Sequence, residues 1–130
     1  MNDKELNQKI IDDLLSIPDE LREAEIILAK AQQSLDEQKG IVADAEFDAE
    51  LNAVIDGKNA EERKRQMKQA VTESSVVQLA QAELFAQEAE LIELEANVKA
   101  VSRRFRANLA LSELQAARMY LLAKYPKSSN

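Results

Sequence analysis

Apolar residues recur along this chain with the spacing of an α-helix, and over most of its length with the stricter spacing of a heptad. Leu6, Ile10 and Leu14 share one face of a first segment, with Ile17 just beyond, at steps of four, four and three. From Leu14 the positions Leu21, Leu28, Leu35, Val42 and Ala49 follow at intervals of seven, and Ile17, Ala24, Ala31, Gln38 and Ala45 lie three residues after the first five of that series. A second series, Val77, Leu84, Leu91, Val98 and Phe105, is accompanied in the same way by Ala80, Gln87, Leu94 and Val101. Two such seams, with large residues at one position and mostly alanine at the other, predict two long helices packed closely as a coiled coil.

Breaker residues set the expected boundaries. Proline lacks an amide donor and clashes with the preceding helical turn, but suits the first turn of a new helix. Ser16-Ile17-Pro18-Asp19 therefore predicts that a short amphipathic helix, residues 1–17, kinks or ends, with Ser16 capping the helix that restarts. Gly57 is the only glycine after Gly40, and glycine readily takes the left-handed conformation just past a helix end. Asn59 then restarts a helix: its side chain accepts from a free amide while Glu62 reaches back, an Asn form of the capping box. The expected hairpin spans residues 18–125, with a first arm 18–56, a turn 57–59 and a second arm 60–125. Pro126 ends the second arm, and residues 126–130 form a frayed tail.

The turn also acts as a ruler. Centred between Gly57 and Lys58, it makes facing residues sum to about 115. Gly40 then faces Ser75, a level of small residues suited to a close crossing or a hinge, and Lys4 faces Leu111. Residues from Ser112 onward are left without an intrachain partner, yet they carry Leu114, Ala117, Tyr120, Leu121 and Leu122. An uncovered apolar face of this kind predicts self-association through Leu114, Ala117, Leu121 and Leu122, giving a dimer or helical bundle.

Composition agrees with an all-α class. The 130 residues include two Gly, two Pro, no His, no Cys and no Trp, with 45% hydrophobic residues but only three Phe and two Tyr. That supports one domain with a narrow core, which a single hairpin buries poorly without a partner. With no cysteine there is no disulfide framework. Apolar runs are only a few residues long and the chain opens Met1-Asn2-Asp3-Lys4-Glu5, so neither a transmembrane segment nor a signal peptide is expected, and a cytoplasmic protein without membrane contact is.

Charge is strongly divided. Residues 1–97 hold 10 Lys and Arg against 23 Asp and Glu, whereas residues 98–130 hold 7 against 1, within a total of −7. A dipolar chain can meet an acidic surface with its last third, or a second copy of itself head to tail.

Catalytic chemistry finds little footing. Glu88, Glu90, Glu93 and Glu95 crowd two turns, and Asp44, Glu46, Asp48 and Glu50 crowd the other helix. A di-metal bundle needs Glu-x-x-His pairs from facing helices, and the chain has no histidine, so a solvated acidic face is the expectation and no metal site is assigned. Without His or Cys the usual hydrolytic triads are missing, and two glycines make no phosphate loop. No enzyme activity, catalytic residue, cofactor or small-molecule substrate is expected.

Two basic clusters remain. Lys99, Arg103, Arg104 and Arg106 form a stretch with Phe105 in the seam, followed by Arg118, Lys124 and Lys127. Such a stripe suits phosphate binding on nucleic acid. Its ordinary reading, which weighs more, is a helix C-terminal half whose cations favour the dipole and pair with Asp12 and Asp13. Lys58, Arg63, Lys64 and Arg65 sit where cations oppose the helix dipole, which leans toward a partner contact.

The run Asp56-Gly57-Lys58-Asn59-Ala60-Glu61-Glu62-Arg63-Lys64-Arg65-Gln66 resembles a turn of the form Gly-Lys-Asn-x-x-x-Arg-x-x-Gln found in small helical proteins of tailed bacteriophages infecting Gram-positive bacteria. The resemblance implies a phage origin, hence the host cytoplasm, and a setting among early genes for recombination and single-strand DNA handling. It carries over no functional residue. The resulting expectation is a self-associating coiled-coil scaffold that serves DNA recombination or replication, touching single-stranded DNA or a DNA-binding protein. The alternative is a chaperone-like coiled-coil adaptor that grips a protein without nucleic-acid contact.

Overall fold

A computed structural model describes residues 2–125 of the chain, and these are mostly helical with no strand. Three helices follow in order: α1 (Asp3–Leu51), α2 (Ala60–Glu73) and α3 (Ser75–Lys124). The all-α expectation holds. The tail expected over 126–130, with Pro126 as its stop, lies outside the described residues.

Three boundaries differ from the expected ones. First, α1 runs unbroken through Pro18, so there is no separate helix over 1–17. Proline in a helix interior costs about 3 kcal/mol, but Ile17 beside it is completely buried and Leu14 and Leu21 keep the seam in phase across it. Burying such a seam offsets the missing amide bond, while Pro18 itself lies exposed. Ser16 is not a cap; its hydroxyl donates to the Asp13 carbonyl at 3.4 Å.

Second, α1 ends at Leu51, and the connection runs from Asn52 to Asn59 instead of occupying 57–59 alone. No described residue has a positive φ, Gly57 included, so a left-handed helix stop is not the reason for this glycine. A Cβ at Gly57 would lie 2.9 Å from both the Arg63 backbone nitrogen and the Glu62 Cβ. The position needs the space, not the dihedral freedom. Gly40, in contrast, has nothing within 4 Å of an added Cβ, so it marks no close crossing.

Third, the expected second arm is divided at Ser74. Its extended backbone (φ −67°, ψ 119°) closes α2, its N–H donates to the Val71 carbonyl, and its hydroxyl accepts from the Val77 N–H at 3.3 Å at the start of α3. One serine thus ends one helix and caps the next.

The helices pack in two compact units. In Leu28–Glu93, Val42 and Ala45 of α1 and Val77 and Ala80 of α3 form a buried cluster flanked by Ala49, Val71 and Leu84. Gln38 is also buried there and donates to the Ala80 carbonyl at 2.9 Å. In the unit of Met1–Ile27 with Leu94–Asn130, Ile10, Ile17, Ala24 and Val101 are buried. The two helices of this unit run in opposite directions, since Asp3 meets Gln115 and Arg118 while Glu20 meets Arg104. All heptad residues expected at the seams are buried or half-buried. Among the described residues no helix is long and apolar enough to cross a membrane.

Candidate interaction surfaces

The basic turn belongs to the unit Leu28–Glu93. Its backbone is tied down by side chains that its own sequence supplies. Gln66 Oε1 accepts from the N–H groups of Asp56 (3.1 Å) and Gly57 (2.9 Å), and Gln66 Nε2 donates to the Asp56 carboxylate. Asn59 caps α2 as expected, with Oδ1 accepting from the Glu62 N–H at 2.8 Å. The Glu62 carboxylate reaches back to accept from the N–H of Lys58, one residue beyond the usual capping-box partner. Lys58, Arg63, Lys64 and Arg65 project from this fixed frame into solvent. None of the four forms an ion pair among the described residues.

The second basic stretch belongs to the other unit and lies on α3. Lys99, Arg103, Arg104 and Arg106 are exposed and Phe105 is half-buried in the seam. Arg104 Nη1 pairs with Glu20 at 2.9 Å, and Arg106 donates to the Ser102 hydroxyl at 3.4 Å. Lys99 and Arg103 have no ionic partner among the described residues. The expected partners Asp12 and Asp13 are replaced by Glu20 for Arg104 and by Asp3 for Arg118. The paired residue numbers exceed the expected total of about 115 for a turn at Gly57, a total that assumes an even helical rise up to the turn, whereas Asn52–Asn59 is not helical.

The same shift changes where the partnerless segment begins. Gln115 is buried and donates to Asp3 Oδ1 at 3.5 Å, and Arg118 is ion-paired, so the intrachain seam extends beyond Ser112. Leu114, Ala117, Leu121 and Leu122, the residues expected to self-associate, are nevertheless all exposed. With Arg118 and Tyr125 they line a shallow apolar depression on α3. Lys124 Nζ sits 5.7 Å from the Tyr120 ring centroid and 5.6 Å from that of Tyr125, within cation–π range. Leu114, Tyr120 and Tyr125 are each more than 60% exposed, an apolar load that a helix end does not ordinarily leave in water.

The acidic runs make no convergent cluster. Among the described residues no three carboxylates are grouped to hold a metal ion. Glu46, one of them, instead accepts from Gln81 at 3.3 Å.

Sequence reasoning missed the clamp made by Gln66 and the polar seam position Gln115, whereas the heptad had placed Gln38 in the seam. The first had a signal, since Gln66 closes the Gly-Lys-Asn-x-x-x-Arg-x-x-Gln run, and a glutamine side chain offers both a donor and an acceptor. Gln87, a third polar seam residue, donates to Glu83 at 3.1 Å, while its Oε1 is buried with no hydrogen-bond partner. In comparisons with known proteins, no family model, curated protein or solved structure matches this chain.

Proposed function

We infer that this chain is a non-enzymatic, self-associating binding or scaffold module built as a coiled-coil hairpin. The observation that carries this reading is the apolar surface on the last turns of α3, where Leu114, Leu121 and Tyr125 are 68%, 54% and 66% exposed. A second copy is a natural cover for such a surface, because an isologous contact needs only one self-complementary patch. Replacing Leu114, Leu121 and Leu122 together by Ser tests it. These side chains contribute little to the intrachain seam, so helicity should persist while the associated species dissociates. Association unchanged by the triple replacement would overturn the role of this surface.

Within that reading, the module serves as an accessory to phage DNA recombination or replication and contacts single-stranded DNA or a DNA-binding protein. Supporting it are the exposed cations Lys58, Arg63, Lys64 and Arg65, which have no carboxylate partner among the described residues and crowd a rigidly clamped turn. Electrostatic contact of this kind predicts binding that weakens steeply with salt. A salt titration of binding to a fluorescent oligonucleotide checks it. Absence of binding at low ionic strength would leave the protein-gripping adaptor as the better reading.

A further inference from the structure

The outward side of α3 carries a second heptad pattern. Positions 79, 82, 86, 89, 93, 96, 100, 103, 107, 110, 114, 117 and 121 alternate in steps of three and four, the repeat of a coiled-coil seam. All of them are exposed, and all are alanine or leucine except Glu93 and Arg103. Alanine alone is no anomaly on an exposed helix face, since it is the best helix former. Leucine is less expected there, yet Leu79, Leu114 and Leu121 are 73%, 68% and 54% exposed.

Charge along α3 is divided in the same sense. Residues 75–97 hold the acids Glu83, Glu88, Glu90, Glu93 and Glu95 and no Lys or Arg. Residues 98–124 hold Lys99, Arg103, Arg104, Arg106, Arg118 and Lys124 against the single acid Glu113. A parallel pairing of two such helices sets acid on acid and base on base. An antiparallel pairing sets each half on its opposite.

We propose that two copies of this chain associate through the outward face of α3, antiparallel, in the register that brings Glu93 of each copy against Arg103 of the other. This rests on the self-association reading and specifies its geometry. Three features select the register. It pairs the only two charged residues of the stripe with each other, twice, as a two-fold axis requires. Sliding by one heptad in either direction sets both charges against alanine and leaves them unpaired in the contact, which is costly. The sizes also match in this register. Leu79 meets Ala117, Ala82 meets Leu114, and Ala96 meets Ala100 near the axis, where small side chains let the helices come close. Leu121 meets Ser75, so the stripe is covered from end to end. Leu114, Ala117 and Leu121 thus join a longer seam, and Arg103 is withdrawn from any nucleic-acid stripe.

Charge reversal tests the register. Glu93→Arg and Arg103→Glu are substitutions at exposed helix positions, so far-UV circular dichroism should be unchanged. Each alone makes both symmetric pairs repulsive and should weaken the dimer roughly tenfold or more. The double variant restores both pairs within one chain type. An equimolar mixture of the two single variants restores both in a heterodimer, because one copy then carries Arg at both positions and the other Glu at both. Recovery of wild-type association in the double variant and in the mixture is the expected result. Single variants that associate like wild type, or a double variant no better than either single one, would overturn the register while leaving self-association standing. A wild type that stays monomeric at the same concentration would overturn the self-association itself.

Discussion

Arg118 Nη1 lies 2.9 Å from Oδ1 of Asp3, the first residue of α1, and the same oxygen accepts from Gln115. Asp3 also sits where a carboxylate suits the helix dipole. Both side chains of the ion pair are about half exposed, so the pair contributes at most about 1 kcal/mol. Asp3→Ala should therefore lower global stability only slightly. Its visible effect should be faster amide exchange in the first turns of α1 and around Arg118, measured by hydrogen exchange, with the unit Leu28–Glu93 unaffected.

The two glycines should respond in opposite ways to the same substitution. Gly57→Ala forces a Cβ to within 2.9 Å of the Arg63 backbone and should destabilise by about 1–3 kcal/mol, as overpacking does. Gly40→Ala meets open space inside α1 and should stabilise by about 1 kcal/mol through helix propensity alone. Chemical denaturation of the two variants checks the contrast. Equal effects would contradict the packing reason given for Gly57.

Ile17 and Leu15 lie two residues apart in opposite environments, completely buried and 72% exposed. Ile17→Ala should cost about 2–5 kcal/mol, including the cavity left beside Pro18. Leu15→Ala should stay within about 0.5 kcal/mol, the range of surface changes. Thermal melts of both variants measure the difference.

Neutralising the turn by Lys58→Gln, Arg63→Gln, Lys64→Gln and Arg65→Gln removes cations that take part in no ion pair among the described residues. Stability should hold or rise slightly, since these charges oppose the dipole of α2. If single-stranded DNA binds here, the slope of log affinity against log salt should flatten by about 0.7 for each phosphate that is no longer neutralised. Titration of the quadruple variant beside the wild type checks it.

How much of this was legible in the sequence depended on the kind of information each feature needed. The seams were readable, because heptad spacing is a property of the helix itself: Ile17, Val42, Val77 and Val101 are buried where the pattern put them. The cap at Asn59 was readable for the same reason, being a bond between residues three apart. Pro18 was misread because a local penalty was outweighed by burial of the Ile17 face, which only tertiary packing supplies. The register was misread because counting outward from Gly57 assumes helical rise right up to the turn. Asn52–Asn59 is not helical, so the count does not hold, and Glu20 and Asp3 replaced Asp12 and Asp13. Ser74 was overlooked because its hydroxyl and amide serve two helices at once, a role its neighbour Ser75 offers equally well in sequence. At the candidate surfaces, exposure of the basic residues and of Leu114, Ala117, Leu121 and Leu122 followed from the pattern, whereas the Gln66 clamp that stiffens the turn did not.

Self-association is the central claim, and sedimentation equilibrium of the wild-type chain across the micromolar range tests it most directly. Twice the monomer mass, falling toward the monomer on dilution, is the predicted result. A single species of monomer mass throughout that range would contradict it.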